Sequence, residues 1–295
     1  MKIYVAGCGG MLGDAVYKYF TEHMHTVRAT DIKLTSDWVN CIDVRDHFLL
    51  RHDVLGFSPD VIMNLAAMTD LEECEKRRGA AISTNTGGSA NCAALAMELD
   101  IPYVYISTAG IFDGKQEYYD DYDKPNPICI YAKSKYWGEI IATTVPKHIV
   151  LRCGWQMGSG PKDKKFIQKI WQQIKAGATE LNVVTDKQGT PTYVKDFTHQ
   201  IDKMLQTKSY GVFNAVGKGE ASRYDVAVEF VRLLGLNVKV NVVPSSFWAK
   251  EYSAPRPASE KLITSKLDVA GLNVMRPWQE SLAEYVNEYH KYFSQ

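Results

Sequence analysis

At 295 residues the chain has room for a nucleotide-binding domain and a smaller lobe around an ample core. Its 34 lysines and arginines balance 34 aspartates and glutamates, which leaves no global field for nucleic acid or an anionic membrane, so any anionic ligand has to be caught locally. No apolar run approaches the ~20 residues of a membrane span, and Cys8, Cys41, Cys74, Cys92, Cys129 and Cys153 stand singly, without the spacing of a zinc site. With no basic leader ahead of the first strand, a cytoplasmic protein with reduced thiols and no bound metal is expected.

The first expected strand, Lys2 to Ala6, runs directly into GCGGMLG and then into an amphipathic helix, Met11 to Glu22. Strand, glycine turn and helix form one unit. Gly7 permits the tight turn, Gly10 allows backbone to approach a pyrophosphate, and Gly13 lets helix pack closely on strand. The diphosphate then meets the unpaired N–H groups of Met11 and Leu12 in the first helical turn. The second strand, Val27 to Asp31, ends on a carboxylate 18 residues after Gly13, the place from which an acidic residue reaches the ribose hydroxyls of adenosine. Asp31 disfavours a 2′-phosphate, whereas Arg28 and Lys33 nearby would tolerate one, so both NADH and NADPH remain open. Asp43, beside Val44 at the end of the run Val39 to Ile42, is read either as meeting the adenine edge or as capping the next helix.

Val61 to Leu65 reads as a strand continuing into Ala66 and Ala67, Ile82 to Leu99 as a helix, and Tyr103 to Ser107 as a further strand. This βαβα order predicts a doubly wound parallel α/β sheet of Rossmann type. After the last of these strands come Thr108, two prolines, and the segment IYAKSKYWGE, which carries Tyr131 and Lys135 four residues apart on one helical face. With 17 tyrosines a chance pair at that spacing is expected, so context carries the reading. That context suits reduction of a ketone, in which negative charge grows on oxygen and a positioned acid delivers a proton. An ammonium ~5 Å away at an effective dielectric of ~20 would lower a phenol by about two pKa units. Tyr131 is thus expected to be the acid, Lys135 to tune it and hold the nicotinamide ribose, Thr108 to hydrogen-bond the carbonyl oxygen, and Asn85 to support the network from behind.

After Ile149 to Arg152 the alternation weakens and proline-bearing loops appear at Gly189 to Tyr193 and Ala254 to Pro257. The dinucleotide-binding domain is therefore expected over 1–151, with a returning segment near 181–208. A smaller mixed α/β substrate lobe takes 152–180 and 209–295.

At these residues the chain resembles the extended short-chain dehydrogenase/reductases, and among them the dTDP-4-dehydrorhamnose reductase family. The likeness runs nearly end to end, through PDVIMNLAAMTDLEECE, YISTAGIFDG, YAKSKYWGE, LRCGW, VVTDKQGTPTYVKD and RPASEKLITSKL. It implies an NAD(P)H-dependent reduction of a keto group on a nucleotide-linked sugar. It also implies that Leu65, Ala66 and Ala67 join the cofactor contacts, and that Thr69, Thr108, Ala109, Trp155 and Arg256 border the sugar. A homodimer is compatible with the family. In two places the chain departs from its pattern: Ala109 and Gly110 replace an acid and an aromatic residue, and CGW replaces TSW. Both lie beside the expected sugar and put its identity in question. Two other readings stand beside this one. A nucleotide-sugar epimerase shares the cofactor and the catalytic pair, while Ala109 removes the acid that a dehydratase needs. A non-catalytic binding subunit, like the regulatory beta subunit of methionine adenosyltransferase, resembles the same family, although an intact Tyr131 and Lys135 argue against it.

Overall fold

The computed structural model describes residues 1–294; residue 295, the last of the lobe assigned to 209–295, lies outside them. Seven parallel strands form the central sheet: β1 (Lys2–Ala6), β2 (Thr26–Asp31), β3 (Val39–Cys41), β4 (Val61–Asn64), β5 (Tyr103–Thr108), β6 (His148–Cys153) and the edge strand Gly211–Asn214. Their spatial order is Gly211–Asn214, β6, β5, β4, β1, β2, β3. β4 and β5 are buried along their whole length, as expected of parallel strands with helices over both faces. The order reverses between β1 and β4. Ligands of such sheets lie at this switch point, outside the carboxyl ends of the strands.

Helix α1 (Met11–Glu22) buries Met11, Leu12, Val16 and Phe20 against the sheet, following the 3.6-residue period of its sequence. The expected helix Ile82 to Leu99 forms in two parts, a π-helical turn at Ser83–Gly87 and an α-helix at Gly88–Glu98. The extra residue of the π turn carries Asn85 into the interior, where it is 1% exposed.

The segment that comes back to the central sheet is the helix Val194–Thr207 with the strand Gly211–Asn214, which pairs with β6. The strand Glu180–Val184 pairs instead with Lys239–Val243, in a separate parallel ribbon. The returning segment therefore starts later than 181 and ends after 208. The rest of the second half adds the three-stranded ladder of Ala221–Ser222, Gln188–Gly189 and Ser259–Glu260, together with the helices Phe166–Lys175, Arg223–Leu233 and Trp278–Glu288. Among the described residues, no helix is long and apolar enough to cross a membrane.

Candidate active site

The glycine turn is built as its spacing requires. Gly7 has φ +79°, and a Cβ there would lie 2.3 Å from the backbone nitrogen of Ala66, so both the turn and the neighbouring Leu65–Ala67 backbone demand glycine. At Gly13 a Cβ would stand 2.4 Å from the Cys8 carbonyl oxygen, which sets how closely α1 lies on the turn. Gly10 differs from both. It occupies the N-cap of α1, no side chain caps the helix there, and an added Cβ would meet nothing within 4 Å. Open space therefore faces the unpaired N–H groups of the first helical turn, a cradle that fits a diphosphate.

Asp31, at the end of β2, accepts a hydrogen bond from the Gly9 backbone at 3.0 Å and another from Lys33 N at 3.1 Å, so its carboxylate borders the turn. The two basic residues near it behave differently. Arg28 projects to the opposite face of the strand and is committed to Asp53, which also takes the Tyr4 hydroxyl at 2.9 Å. Arg28 is thus withdrawn from any phosphate near Asp31, and Lys33 remains. Asp43 is held by Arg45, which keeps its carboxyl below the usual range; the cap of the following helix is Asp46, which accepts from Leu49 N at 3.0 Å. Val44 is buried against Gly88, where an added Cβ would lie 2.7 Å from a Val44 methyl.

The second half of the site hangs from the helix Ile130–Ala142. Gly138 lets it approach β5 closely, since a Cβ there would be 2.3 Å from the Tyr105 hydroxyl and 2.7 Å from the Asn85 carbonyl oxygen. Tyr105 donates to the Lys135 carbonyl oxygen at 3.0 Å. One turn on, buried Glu139 accepts from Ser107 at 2.6 Å and pairs with Arg152 of β6 at 2.7 Å. Helix and strands are thereby locked in register by a satisfied buried ion pair. Asn85 completes the scaffold: its side chain accepts from Met68 N at 2.7 Å and donates to the Met68 carbonyl at 3.1 Å and to Ser134 at 2.9 Å. It thereby joins the loop after β4 to the helix bearing Tyr131.

At the carboxyl end of β5 the Thr108 hydroxyl reaches the Tyr131 phenol, and Lys135 follows one turn later on the helix that carries Tyr131. The Lys135 ammonium is buried, lies 4.2 Å from the centre of the Tyr105 ring, and is pulled down to about 8 by desolvation. Burial pushes the Tyr131 phenol above its ordinary value; the charges of Cys153 and Glu260 act in the same direction and the Thr108 hydroxyl acts against them. The shift therefore runs opposite to the lowering expected from Lys135, and desolvation sets its direction. At neutral pH the phenol keeps its proton. Thr108 is 8% exposed and accepts from Gly110 N at 3.2 Å, which starts the turn through Ala109.

Trp155, expected to border the sugar, adopts φ +31° and donates from its indole nitrogen to Glu260 at 2.8 Å. The Arg223 guanidinium stacks 3.5 Å from its ring centre. Arg256 pairs with Glu72 at 2.8 Å, and exposed Thr69 accepts from Lys165 at 2.8 Å; these two contacts tie the loop and short helix after β4 to the second half of the chain. Glu260 and Arg223, which hold Trp155 here, stand outside the residues expected from the sequence. Glu260 lay in plain view, inside the RPASEKL stretch, as an acid close to Arg256.

The family described as RmlD substrate binding domain matches residues 1–291. The chain belongs to this family. Among its relatives, the spore coat polysaccharide biosynthesis protein SpsK of Bacillus subtilis is 32% identical over 97% of each chain. A dTDP-4-dehydrorhamnose reductase ortholog of Clostridium acetobutylicum superposes with a TM-score of 0.90 at 31% identity, covering 98% of this chain and 100% of the other. The dTDP-4-dehydrorhamnose reductase of Bacillus anthracis, solved in complex with NADP, gives 0.89 at 27% identity, covering 97% and 99%.

Proposed function

We propose that the protein is an NAD(P)H-dependent oxidoreductase of nucleotide-sugar biosynthesis that reduces the 4-keto group of a nucleotide-linked deoxysugar, as the dTDP-4-dehydrorhamnose reductases among its relatives are named for doing. The observation that carries this reading is Thr108 at the end of β5 against the Tyr131 phenol, with buried Lys135 one helical turn on, in a sheet whose first strand runs into a glycine turn open at Gly10. The bound dinucleotide would supply the hydride. Gly7 to Gly13 would hold its diphosphate, Asp31 the adenosine ribose, and Lys135 the nicotinamide ribose. Thr108 would hydrogen-bond the ketone oxygen while Tyr131 delivers the proton to it as the alkoxide forms. A phenol that stays protonated at neutral pH is in the state a proton donor needs, whereas an epimerase must first use it as a base. An alkoxide is far more basic than even a raised phenol, so proton transfer runs downhill. Trp155 and Arg256 would border the nucleotide-sugar.

The test is oxidation of NADPH and NADH by the purified protein against a panel of nucleotide-linked 4-keto-sugars. Substrate-dependent loss of reduced nicotinamide supports the reading. Epimerised sugar with no net oxidation, or cofactor binding without turnover of any sugar in the panel, refutes it.

A further inference from the structure

Glu260 comes from the ladder strand Ser259–Glu260, far from the catalytic helix in sequence, yet its carboxylate stands beside the catalytic turn. One oxygen, Oε2, accepts the Trp155 indole N–H at 2.8 Å. The other, Oε1, has no hydrogen-bond donor among the described residues. It looks across Gly110: a Cβ built on that glycine would lie 3.4 Å from Glu260 Oε1 and 3.5 Å from Thr108 Oγ1. The carboxylate and the threonine hydroxyl thus flank one small gap, which the absence of a side chain at 110 leaves clear. The geometry of Trp155 fixes the carboxylate from the other side, and Arg223, stacked on the indole face, holds Trp155 in place and adds a favourable charge for the acid.

A carboxylate reads donors. An oxygen left free in a half-buried wall, beside the hydroxyl that faces the reacting carbonyl, is placed for an O–H on the carbon next to that carbonyl. We propose that Glu260 is a specificity-determining residue that accepts a hydrogen bond from the sugar hydroxyl adjacent to the ketone, with Trp155 as its positioning residue. This rests on the reductase reading above. Sites that hydrogen-bond a substrate hydroxyl discriminate strongly against the analogue lacking it, because the buried acceptor is then left without a partner.

The experiment compares kcat/KM of the wild type, Glu260→Gln and Glu260→Ala on two nucleotide-linked 4-keto-6-deoxy-sugars, one bearing the 3-hydroxyl and one deoxy at C3, with NADPH affinity measured alongside. The wild type is expected to prefer the hydroxylated sugar by at least about 100-fold. Glu260→Ala should lower that preference by about 10- to 100-fold, and Glu260→Gln, which keeps an acceptor oxygen, should lose less. NADPH affinity should stay unchanged. Equal losses on both sugars, or an unchanged preference in Glu260→Ala, overturn this inference and leave the reductase reading standing. A wild type that oxidises NADPH with neither sugar overturns the reductase reading, and this one with it.

Discussion

Replacing Lys135 by methionine should stabilise the protein at neutral pH while disabling it. The ammonium is 4% exposed, and among the described residues no carboxylate lies within ion-pair distance of it; burial pulls its pKa from 10.5 to about 8. Between those values the unfolded chain holds a proton that the folded chain does not, so this group makes stability rise with pH across that window. Below pH 8 both forms are protonated and the full cost of the buried charge is felt; above 10.5 neither is, and the cost is gone. At 1.36 kcal/mol per pKa unit the burden comes to about 3 kcal/mol. Methionine has nearly the same length and no charge, so it removes the burden without opening a cavity. The assay is urea denaturation of both proteins at intervals from pH 7 to 10.5. All other titrating groups are common to the two, so they cancel in the difference, which should move by about 3 kcal/mol in favour of the wild type as pH rises. A difference that stays flat over that range would refute the assignment of a buried, desolvated ammonium.

Three further outcomes are expected. Tyr131→Phe should cut kcat by about 10²- to 10⁴-fold with NADPH affinity little changed, in single-turnover measurements of hydride transfer; turnover within threefold of wild type sinks the acid assignment. Gly10→Val should keep its melting temperature, since its side chain enters open space, and yet lose dinucleotide binding by calorimetry; binding as tight as the wild type would displace the diphosphate from the turn. Asn85→Ala leaves Met68 N without its partner and the Met68 carbonyl with only the Cys74 thiol, and should cost about 1–3 kcal/mol in chemical denaturation, which an intact stability would contradict.

The parts legible in the sequence are those where one local rule decides the outcome. The turn at Gly7 to Gly13 is such a place, because Gly7 and Gly13 must lack a Cβ for reasons set within a few residues or by the adjacent strand. The pair Tyr131 and Lys135 is another, since four-residue spacing on a helix places two side chains on one face whatever the rest of the chain does. The illegible parts depend on contacts across the chain. Nothing local to Arg28 announces Asp53, yet that pair removes it from the cofactor side. Spacing puts Lys135 one helical turn from Tyr131 but says nothing of burial, and desolvation raises the phenol where a lowering is expected from the spacing. The strand Glu180–Val184 reads as a strand in isolation, and only the pairing with Lys239–Val243 shows which sheet it joins.

The same distinction bears on the departure at Ala109 and Gly110. As a linear pattern it is a loss, an acid and an aromatic replaced by two small residues directly after Thr108. In space the carboxylate of Glu260 stands at Gly110, brought there from 150 residues downstream by the ladder that also holds Gln188–Gly189. Atoms beyond the Cβ of any larger side chain at 110 would contend with that carboxylate, so small residues after Thr108 and an acid at 260 are two halves of one arrangement. Restoring an aromatic residue at 110 without removing the acid at 260 would crowd the gap and press a half-buried charge against a ring, so the two positions act together in the substrate choice proposed for Glu260.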